Sequence, residues 1–315
     1  MFLNIVGKVL PILLLFLLGM LFRKKDFISE ITIAELKKLV VNFFLPSLLF
    51  ISFLQTNFEV KHLVIILTMF FTCIILLYIG KFIKAFLKIK SNYFSILFTG
   101  FEAGMLGYSL FSTAFGLENL FKFAVIDLGQ VIFVFFVLVG ILIKYKEGNS
   151  NIGHGEMLYS FIKTPVIIAI FFGILLQKTN LINIFEHNMI LSAITETIKL
   201  LSSLTVPLIS IIIGYEIKFK RDNLKIAILT VLLRNLLLIS IALIVNNFVF
   251  VRILHLDKVF QTALMTMFIL PPPFIIPLYM KEDDSENKSF ISNVLATNTI
   301  ASIALFLLIA YKIIY

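Results

Sequence analysis

Residues 266–280 read TMFILPPPFIIPLYM, an apolar run that three consecutive prolines and Pro277 interrupt. Each proline lacks a backbone N–H and its ring clashes with the preceding helical turn, so no regular α-helix passes through Pro271, Pro272 and Pro273. If this run lies in a bilayer, the carbonyls that lose their donors cannot face lipid and must meet protein, water or a ligand. The prolines therefore predict a discontinuous helix that lines a cavity, in preference to a kink that only shapes a helix bundle.

The composition of the whole chain favours the bilayer. Of 315 residues, 60% are hydrophobic and 14% are charged, and the mean hydropathy is +1.05. Soluble domains are about 45–50% apolar and about 25% charged, so this composition argues against a soluble enzyme. The sequence predicts an all-α polytopic membrane protein, with the lipid bilayer as its surroundings.

Ten apolar runs are separated by polar breaks, and a helix needs about 20 apolar residues to cross the hydrocarbon. The main charge cluster follows the first run, whereas a signal peptide carries its charge before the apolar stretch, so we expect the first run to be a retained span. The ten predicted transmembrane helices are 3–22, 34–54, 63–87, 93–114, 119–143, 158–176, 190–215, 224–248, 259–280 and 290–313.

The positive charges are distributed unevenly between these spans. Of the 27 Lys and Arg residues, 18 lie in or beside the breaks that follow the odd-numbered spans, 8 lie on the other side and Arg234 lies inside a span. The positive-inside rule then places both termini outside the cell membrane, and we expect a bacterial inner membrane. Because the basic residues sit between apolar runs, we expect no nucleic-acid partner.

Two segments of the chain resemble each other. Lys38-Leu39 is followed by Pro46, and Lys199-Leu200 is followed by Pro207 at the same spacing, 161 residues later. Two similar halves of five spans each must cross the membrane in opposite directions, which is the inverted-repeat plan of many secondary transporters. The predicted parts are a first five-helix repeat, a short cytoplasmic linker and a second five-helix repeat, at 1–143, 144–157 and 158–315.

The fourth span of each predicted repeat is interrupted. In the first repeat the glycines Gly100, Gly104 and Gly107 break the run 93–114, and in the second the prolines break the run 259–280. Interrupted helices in matching positions are the best indication of a binding site in transporters of this plan. We therefore predict that helices 4 and 9 are broken and cross at the substrate site.

Three ionisable residues lie inside predicted spans: Glu102, Asp127 and Arg234. Charged groups are costly in a bilayer and mark functional sites by default. Two interpretations stay open: these residues bind a substrate or coupling ion, or they form an interhelical ion pair, such as Arg234 with Glu102 or Asp127. In the first case, Glu102 or Asp127 would carry a proton.

Uncharged polar residues also lie near the expected crossing, and helix–helix hydrogen bonding and substrate binding explain them equally well. Asn42 lies one turn before Pro46 and is expected to face the same cavity. The full candidate set for substrate or ion binding is Asn42, Glu102, Gly104, Gly107, Asp127, Gln130, Arg234, Pro271, Pro272, Pro273, Asn293, Thr297 and Asn298.

The sequence lacks the motifs that are typical of several other functions. Cys73 is the single cysteine and no histidine has a partner at metal-ligand spacing, so we expect no metal site. A G-x-x-x-x-G-K-[ST] loop is absent, so we expect no ATP hydrolysis, and no motif of an enzyme is evident. We expect no cofactor, and H+ and Na+ remain alternative coupling ions.

With these residues in view, the chain resembles the auxin efflux carrier family, which includes bacterial malate or malonate permease-like proteins. The matching pieces are VNFFLPSLLF at 41–50, GMLGYSLFSTAFGLENLFKFAVIDLGQ at 104–130, LTVPLISIIIGYEI at 204–217, and PPPFIIPLYM at 271–280 with SNVLATNTIASIALFLL at 292–308. The resemblance implies ten spans in two inverted repeats, as in the related bile acid–sodium symporters, with spans 4 and 9 unwound near the midplane. The chain departs from the family pattern at Glu102, where many members have Asn, and it lacks the long central loop of the plant carriers.

The resulting expectation is a secondary carrier of a small organic anion that works by alternating access, with a core of spans 3–5 and 8–10. A homodimer is compatible with this expectation. The alternatives are a non-transporting membrane sensor or scaffold, a membrane-embedded enzyme, and a carrier of an uncharged or cationic solute.

Overall fold

The computed structural model describes residues 2–56, 58–147, 154–179, 189–219, 222–281 and 284–314. Within these ranges every regular element is helical, as the composition predicts. We number the helices α1 (Phe2–Lys24), α2 (Glu30–Leu54), α3 (Val60–Phe86), α4 (Tyr108–Phe115), α5 (Leu117–Lys146), α6 (His154–Ile162), α7 (Pro165–Lys178), α8 (Met189–Glu216), α9 (Leu224–Ile253), α10 (Lys258–Ile269) and α11 (Ser285–Ile314).

Seven stretches of the described chain are long and apolar enough to cross a membrane, which supports a multi-pass helical membrane protein. These are α2, α3, the segment Phe94–Phe115 that ends in α4, α5, α8, α9 and α11. Two further apolar helices are shorter, because α7 starts at Pro165 after an extended Thr164 and has 14 residues, and α10 stops before the prolines after 12. The total of ten spans stays a prediction.

The chain forms two compact units, and each unit takes segments from both halves of the sequence. Unit 1 comprises Met1–His62, Gly104–Ala124 and Tyr159–Ile217. Unit 2 comprises Leu63–Ala103, Val125–Leu158 and Lys218–Tyr315. This grouping follows packing rather than sequence order, so it does not test the predicted repeats, which stay a prediction. The predicted linker 144–157 lies partly outside the described residues, and its first residues continue α5.

Unit 1 is built around the close packing of α1 on the second half of α8. A Cβ atom on Gly19 would overlap the carbonyl of Ile211, and one on Gly214 would overlap the carbonyl of Phe16. Small residues let helix backbones approach this closely inside a bilayer, where van der Waals packing replaces the hydrophobic effect as the driving force. In the same unit, α2 packs on α7.

Polar contacts in unit 1 gather at one end of this helix pair. Arg23 Nη1 donates to the carbonyl of Ile217 at 2.6 Å, just after the last residue of α8. Lys37 Nζ lies 2.8 Å from Glu216 Oε1, and both side chains are about one-third exposed. Away from this end, in the first half of α8, Glu196 and Lys199 form an exposed ion pair with an N–O distance of 2.7 Å.

The two segments that suggested a repeat are both distorted just before their proline. In α2 a π-helical turn, Val40–Phe44, precedes Pro46, and in α8 the helix is interrupted at Leu204 before Pro207. Both distortions follow from the missing proline N–H and from the clash of its ring with the preceding turn.

Unit 2 contains α3, most of α5, and α9, α10 and α11, and α9 packs against both α10 and α11. Its interior holds charged and polar side chains as well as apolar ones, among them Arg234, Asp127 and Asn298. These side chains lie around two places where helices are interrupted.

Candidate substrate and ion site

The first interruption separates a 3-10 turn, Phe94–Phe98, from the helical stretch that leads into α4. Thr99–Glu102 is not helical, and Gly100 has φ +69°, a conformation that glycine adopts without strain. A Cβ at Gly100 would also come within 2.7 Å of the ring of Pro273. Both the conformation and the close approach explain a glycine at this position.

Polar groups of α3 and α5 hold the first interruption in place. Thr99 Oγ1 donates to the carbonyl of Cys73 on α3 at 2.7 Å. The N–H of Phe101 donates to Gln130 Oε1 at 3.2 Å, and Gln130 Nε2 donates to Asp127 Oδ1 at 2.6 Å. Asp127 and Gln130 therefore stabilise the irregular backbone through a relay of hydrogen bonds, a role consistent with their burial.

The second interruption begins where α10 ends at Ile269. In a regular helix the N–H of Pro273 would bind the carbonyl of Ile269, but proline has no N–H. Ser302 Oγ on α11 lies 2.5 Å from that carbonyl and 2.6 Å from the carbonyl of Asn298, so its one hydroxyl proton can serve either of them. The chain then runs through the prolines in an irregular conformation to a 3-10 turn, Ile276–Tyr279.

Leu270 also has a carbonyl without its helical donor. That donor would be the N–H of Phe274, which instead points to Glu102 Oε2 at 2.7 Å. Asn298 Nδ2 approaches the Leu270 carbonyl at 3.3 Å. The α11 residues Asn298 and Ser302, one helical turn apart, thus serve two successive carbonyls at the end of α10.

The two interruptions meet through Glu102. Its backbone N–H donates to the carbonyl of Pro271 at 2.9 Å, and its carboxylate accepts the bond from Phe274. Glu102 therefore contacts the residues at both ends of the Pro271–Pro273 segment. The two interrupted segments are therefore in contact within unit 2, whereas their crossing at a substrate site stays a prediction.

Arg234 lies on α9 and is completely buried. Its guanidinium donates to Leu97 O at 2.6 Å and Leu270 O at 2.7 Å, with a longer contact to Gly100 O at 3.4 Å. Its charge lies 5.7 Å from the centre of the Phe101 ring. In place of the carboxylates considered as its partners, Arg234 binds main-chain carbonyls from both interruptions.

The remaining predicted residues have other surroundings. Asn42 belongs to unit 1, where its exposed side chain donates to the carbonyl of Lys38 at 2.8 Å and lines a shallow groove with Glu35 and Pro165. Gly104 and Gly107 lie in a π-helical turn, Ala103–Gly107, that leads into α4. Asn293 Nδ2 donates to the carbonyl of Asp222 at 2.7 Å, in the loop before α9.

Sequence reasoning missed Thr99, Ser302 and the aromatic pair Phe101 and Phe268, whose ring centres are 5.1 Å apart. Ser302 could have been found, since it follows the predicted site residue Asn298 by one helical turn. The main-chain carbonyls that bind Arg234 carry no signal in the sequence, because every residue has one.

Several buried oxygen atoms of unit 2 have no hydrogen-bond partner in the described part of the chain. They include Asn235 Oδ1, next to Arg234, Thr266 Oγ1, one turn before Leu270, and Asn298 Oδ1. Thr297 Oγ1 belongs to the same group. Buried polar atoms without a partner are costly, and each calls for an explanation such as a water, an ion or a ligand.

The chain matches no protein-family model and no curated protein.

Proposed function

We propose that this protein is a secondary active transporter that moves a small organic anion across the cell membrane by alternating access. The observation that carries the proposal is the meeting of two helix interruptions, joined by Glu102 and held by Arg234. A protein that only needed to be embedded in lipid would gain nothing from breaking two helices and burying charge between them, because both cost free energy in a bilayer.

The choice of an anion rests on Arg234. Its positive charge is fully buried and its hydrogen bonds go to neutral carbonyls rather than to a carboxylate. A buried positive charge that forms no ion pair with a described residue favours an anion in its vicinity. Broken helices also direct their remaining N–H groups at anionic ligands in other transporters.

Glu102 and Asp127 bring negative charge to the same unit, and this observation favours a second candidate, a carrier of a cationic solute. Protonation of Glu102 would remove its charge and weaken the charge-assisted bond from the N–H of Phe274. We therefore include in the proposal that Glu102 carries a proton that is coupled to anion movement.

The ten spans, the inverted repeats, the external termini and the relation to the auxin efflux carriers belong to this proposal. The distortions before Pro46 and Pro207 support the repeats, because the same local sequence pattern disturbs a helix in each half of the chain.

The experiment that tests the proposal is uptake into proteoliposomes that contain the purified protein. Radiolabelled malate, malonate and succinate would be compared with a cationic and an uncharged solute, under imposed gradients of H+ or Na+. We expect accumulation of at least one dicarboxylate. Accumulation of only the cationic solute would support the second candidate, and no uptake of any solute would leave a sensor or scaffold as the better explanation.

Glu102→Gln tests the proton-carrying role. The amide oxygen of Gln can still accept the Phe274 N–H, so the interruptions should stay joined while the titratable group is lost. We expect gradient-driven accumulation to be lost, because the variant has no group to carry the proton, while exchange of internal for external solute continues. The matched control is Glu196→Gln, an exposed carboxylate, which should change neither activity.

A further inference from the structure

Arg234 sits where the backbone has lost its own hydrogen bonds. Of its three carbonyl partners, Leu270 O lies at the end of α10, while Leu97 O and Gly100 O lie at the first interruption. The helical donor of Leu270 O is turned away to Glu102. The guanidinium therefore satisfies carbonyls that the two breaks expose, and it does so from a third element, α9.

Freed carbonyls at interrupted helices are the groups that coordinate small cations in membrane transporters, because carbonyl oxygen is a hard, negatively polarised ligand. The end of α10 adds to this effect, since the C-terminus of a helix carries a partial negative charge. In this protein the guanidinium of Arg234 already occupies the position, and its side chain attaches the positive charge covalently to α9.

Unit 2 also holds buried oxygen atoms that no described group binds. Asn298 shares the Leu270 carbonyl with Arg234, and its own Oδ1 has no partner in the described chain. Asn235 Oδ1 and Thr266 Oγ1 are also buried and without a described partner. Neutral oxygens of this kind are suitable ligands for a small cation once the guanidinium is removed.

We propose that Arg234 is an internal cation that takes the place of a metal ion between the two interruptions. The folded protein then needs no Na+ at this position, and removal of the guanidinium creates a requirement for a small external cation. A covalently bound cation cannot be released to either side of the membrane, so this position does not couple transport to a Na+ gradient. That last consequence rests on the proposed function, whereas the cation requirement does not.

The requirement is measured on the purified full-length protein by thermal unfolding. Cys73 is the single cysteine and is fully buried, so a thiol-reactive dye reports unfolding when this side chain becomes accessible. The wild type, Arg234→Ala and the control Arg252→Ala would be compared in NaCl, choline chloride and dilute guanidinium chloride at equal ionic strength. Arg252 lies on the same helix but is exposed, near the ring of Phe248.

We expect the wild type and Arg252→Ala to unfold within about 1 °C of the same temperature in all three salts. For Arg234→Ala we expect a lower unfolding temperature in choline, with recovery by about 3 °C or more in Na+ or guanidinium, because a ligand that binds only the folded state stabilises it. Arg234→Lys, which keeps a positive charge at the position, should fold and show no preference for Na+ over choline.

Three results would overturn the proposal. The first is saturable stabilisation of the wild type by Na+ but not by choline. The second is an Arg234→Ala protein that responds to the three salts as Arg252→Ala does. The third is an Arg234→Ala protein that fails to fold in every salt, together with an Arg234→Lys protein that is more stable in Na+ than in choline.

Uptake provides a separate readout. We expect wild-type uptake to be unchanged when choline replaces Na+ and to follow a pH gradient. Uptake that requires Na+ in the wild type would contradict the internal cation, whereas the absence of uptake of any solute would contradict only the proposed function and leave the unfolding results to decide the role of Arg234.

Discussion

Arg23 in unit 1 and Arg234 in unit 2 both donate hydrogen bonds to main-chain carbonyls at helix ends, but their surroundings differ. Arg23 is partly exposed and binds a single carbonyl, that of Ile217, just beyond the end of α8. Arg234 is completely buried and approaches three carbonyls from two interrupted elements. The same side-chain chemistry therefore completes a helix end in one unit and holds broken helices together in the other.

The difference shows how burial changes the contribution of a hydrogen-bond donor at a helix end. At a water-accessible end, solvent can bind an unpaired carbonyl, so an arginine there is helpful but replaceable. Inside the low-dielectric interior an unpaired carbonyl is costly, and a strong, charged donor contributes much more. Unit 1 has its close helix contact at glycines and an ion pair that is partly exposed, whereas unit 2 places charge in its interior.

The largest effect should come from Arg234→Lys compared with Arg23→Lys. Lysine has a single ammonium in place of a planar fork, so it cannot span the carbonyls of both interruptions. We expect the free energy of unfolding to fall by about 2–4 kcal/mol for Arg234→Lys and by less than about 1 kcal/mol for Arg23→Lys. Chemical or thermal unfolding in one fixed buffer measures both. Equal losses would show that burial does not govern the contribution of these arginines.

A second, smaller effect should come from Gly100→Ala. Alanine at φ +69° is strained, and its Cβ would press on the ring of Pro273, where the two interruptions meet. We expect a cost of about 1–3 kcal/mol and a loss of uptake. The control is Gly155→Ala, since Gly155 lies in α6 with no other atom near its Cβ position, and alanine favours a helix there. A harmless Gly100→Ala would mean that the close contact with Pro273 is not needed.

Ser302→Ala tests a single carbonyl of the second interruption. The substitution removes the side-chain donor of Ile269 O, and we expect a cost of about 1–2 kcal/mol because a buried acceptor loses its partner. Ser240→Ala is a close control, because Ser240 is exposed and donates only to the carbonyl one turn earlier in α9. Unfolding measurements that give the same small cost for both serines would argue that water replaces Ser302.

Much of this arrangement could be predicted from residue types. Proline cannot donate a backbone hydrogen bond, so the break after α10 was predictable from three consecutive prolines. Glu102, Asp127 and Arg234 were identified as candidates because charge is rare inside apolar runs. The position of Asn298 near the second break was also expected. These predictions rest on local chemistry, which a sequence displays directly.

The partners of these residues were not predictable in the same way. The sequence left carboxylates open as one set of partners for Arg234, but the structure gives it carbonyls, whose availability depends on where N–H groups are missing or turned away. Asn42 was predicted to face the cavity on the strength of its distance from Pro46, and the sequence did not show that its exposed side chain would bind the carbonyl of Lys38 on its own helix. Tertiary packing decides such contacts, and a single sequence carries little information about it.

The smallest effect should come from Lys37→Met in unit 1. Its ion pair with Glu216 is about one-third exposed, so the pair should contribute about 0–1 kcal/mol. Salt screens exposed charges, and we therefore expect this small cost to disappear at high ionic strength, while the cost of Arg234→Lys persists because its bonds are buried. Unfolding of both variants at low and high salt makes the comparison. If Lys37→Met were as costly as Arg234→Lys and equally insensitive to salt, the end of the helix pair in unit 1 would not be accessible to solvent ions. The contrast between the two units would then depend on the number of hydrogen bonds each cation makes rather than on its depth.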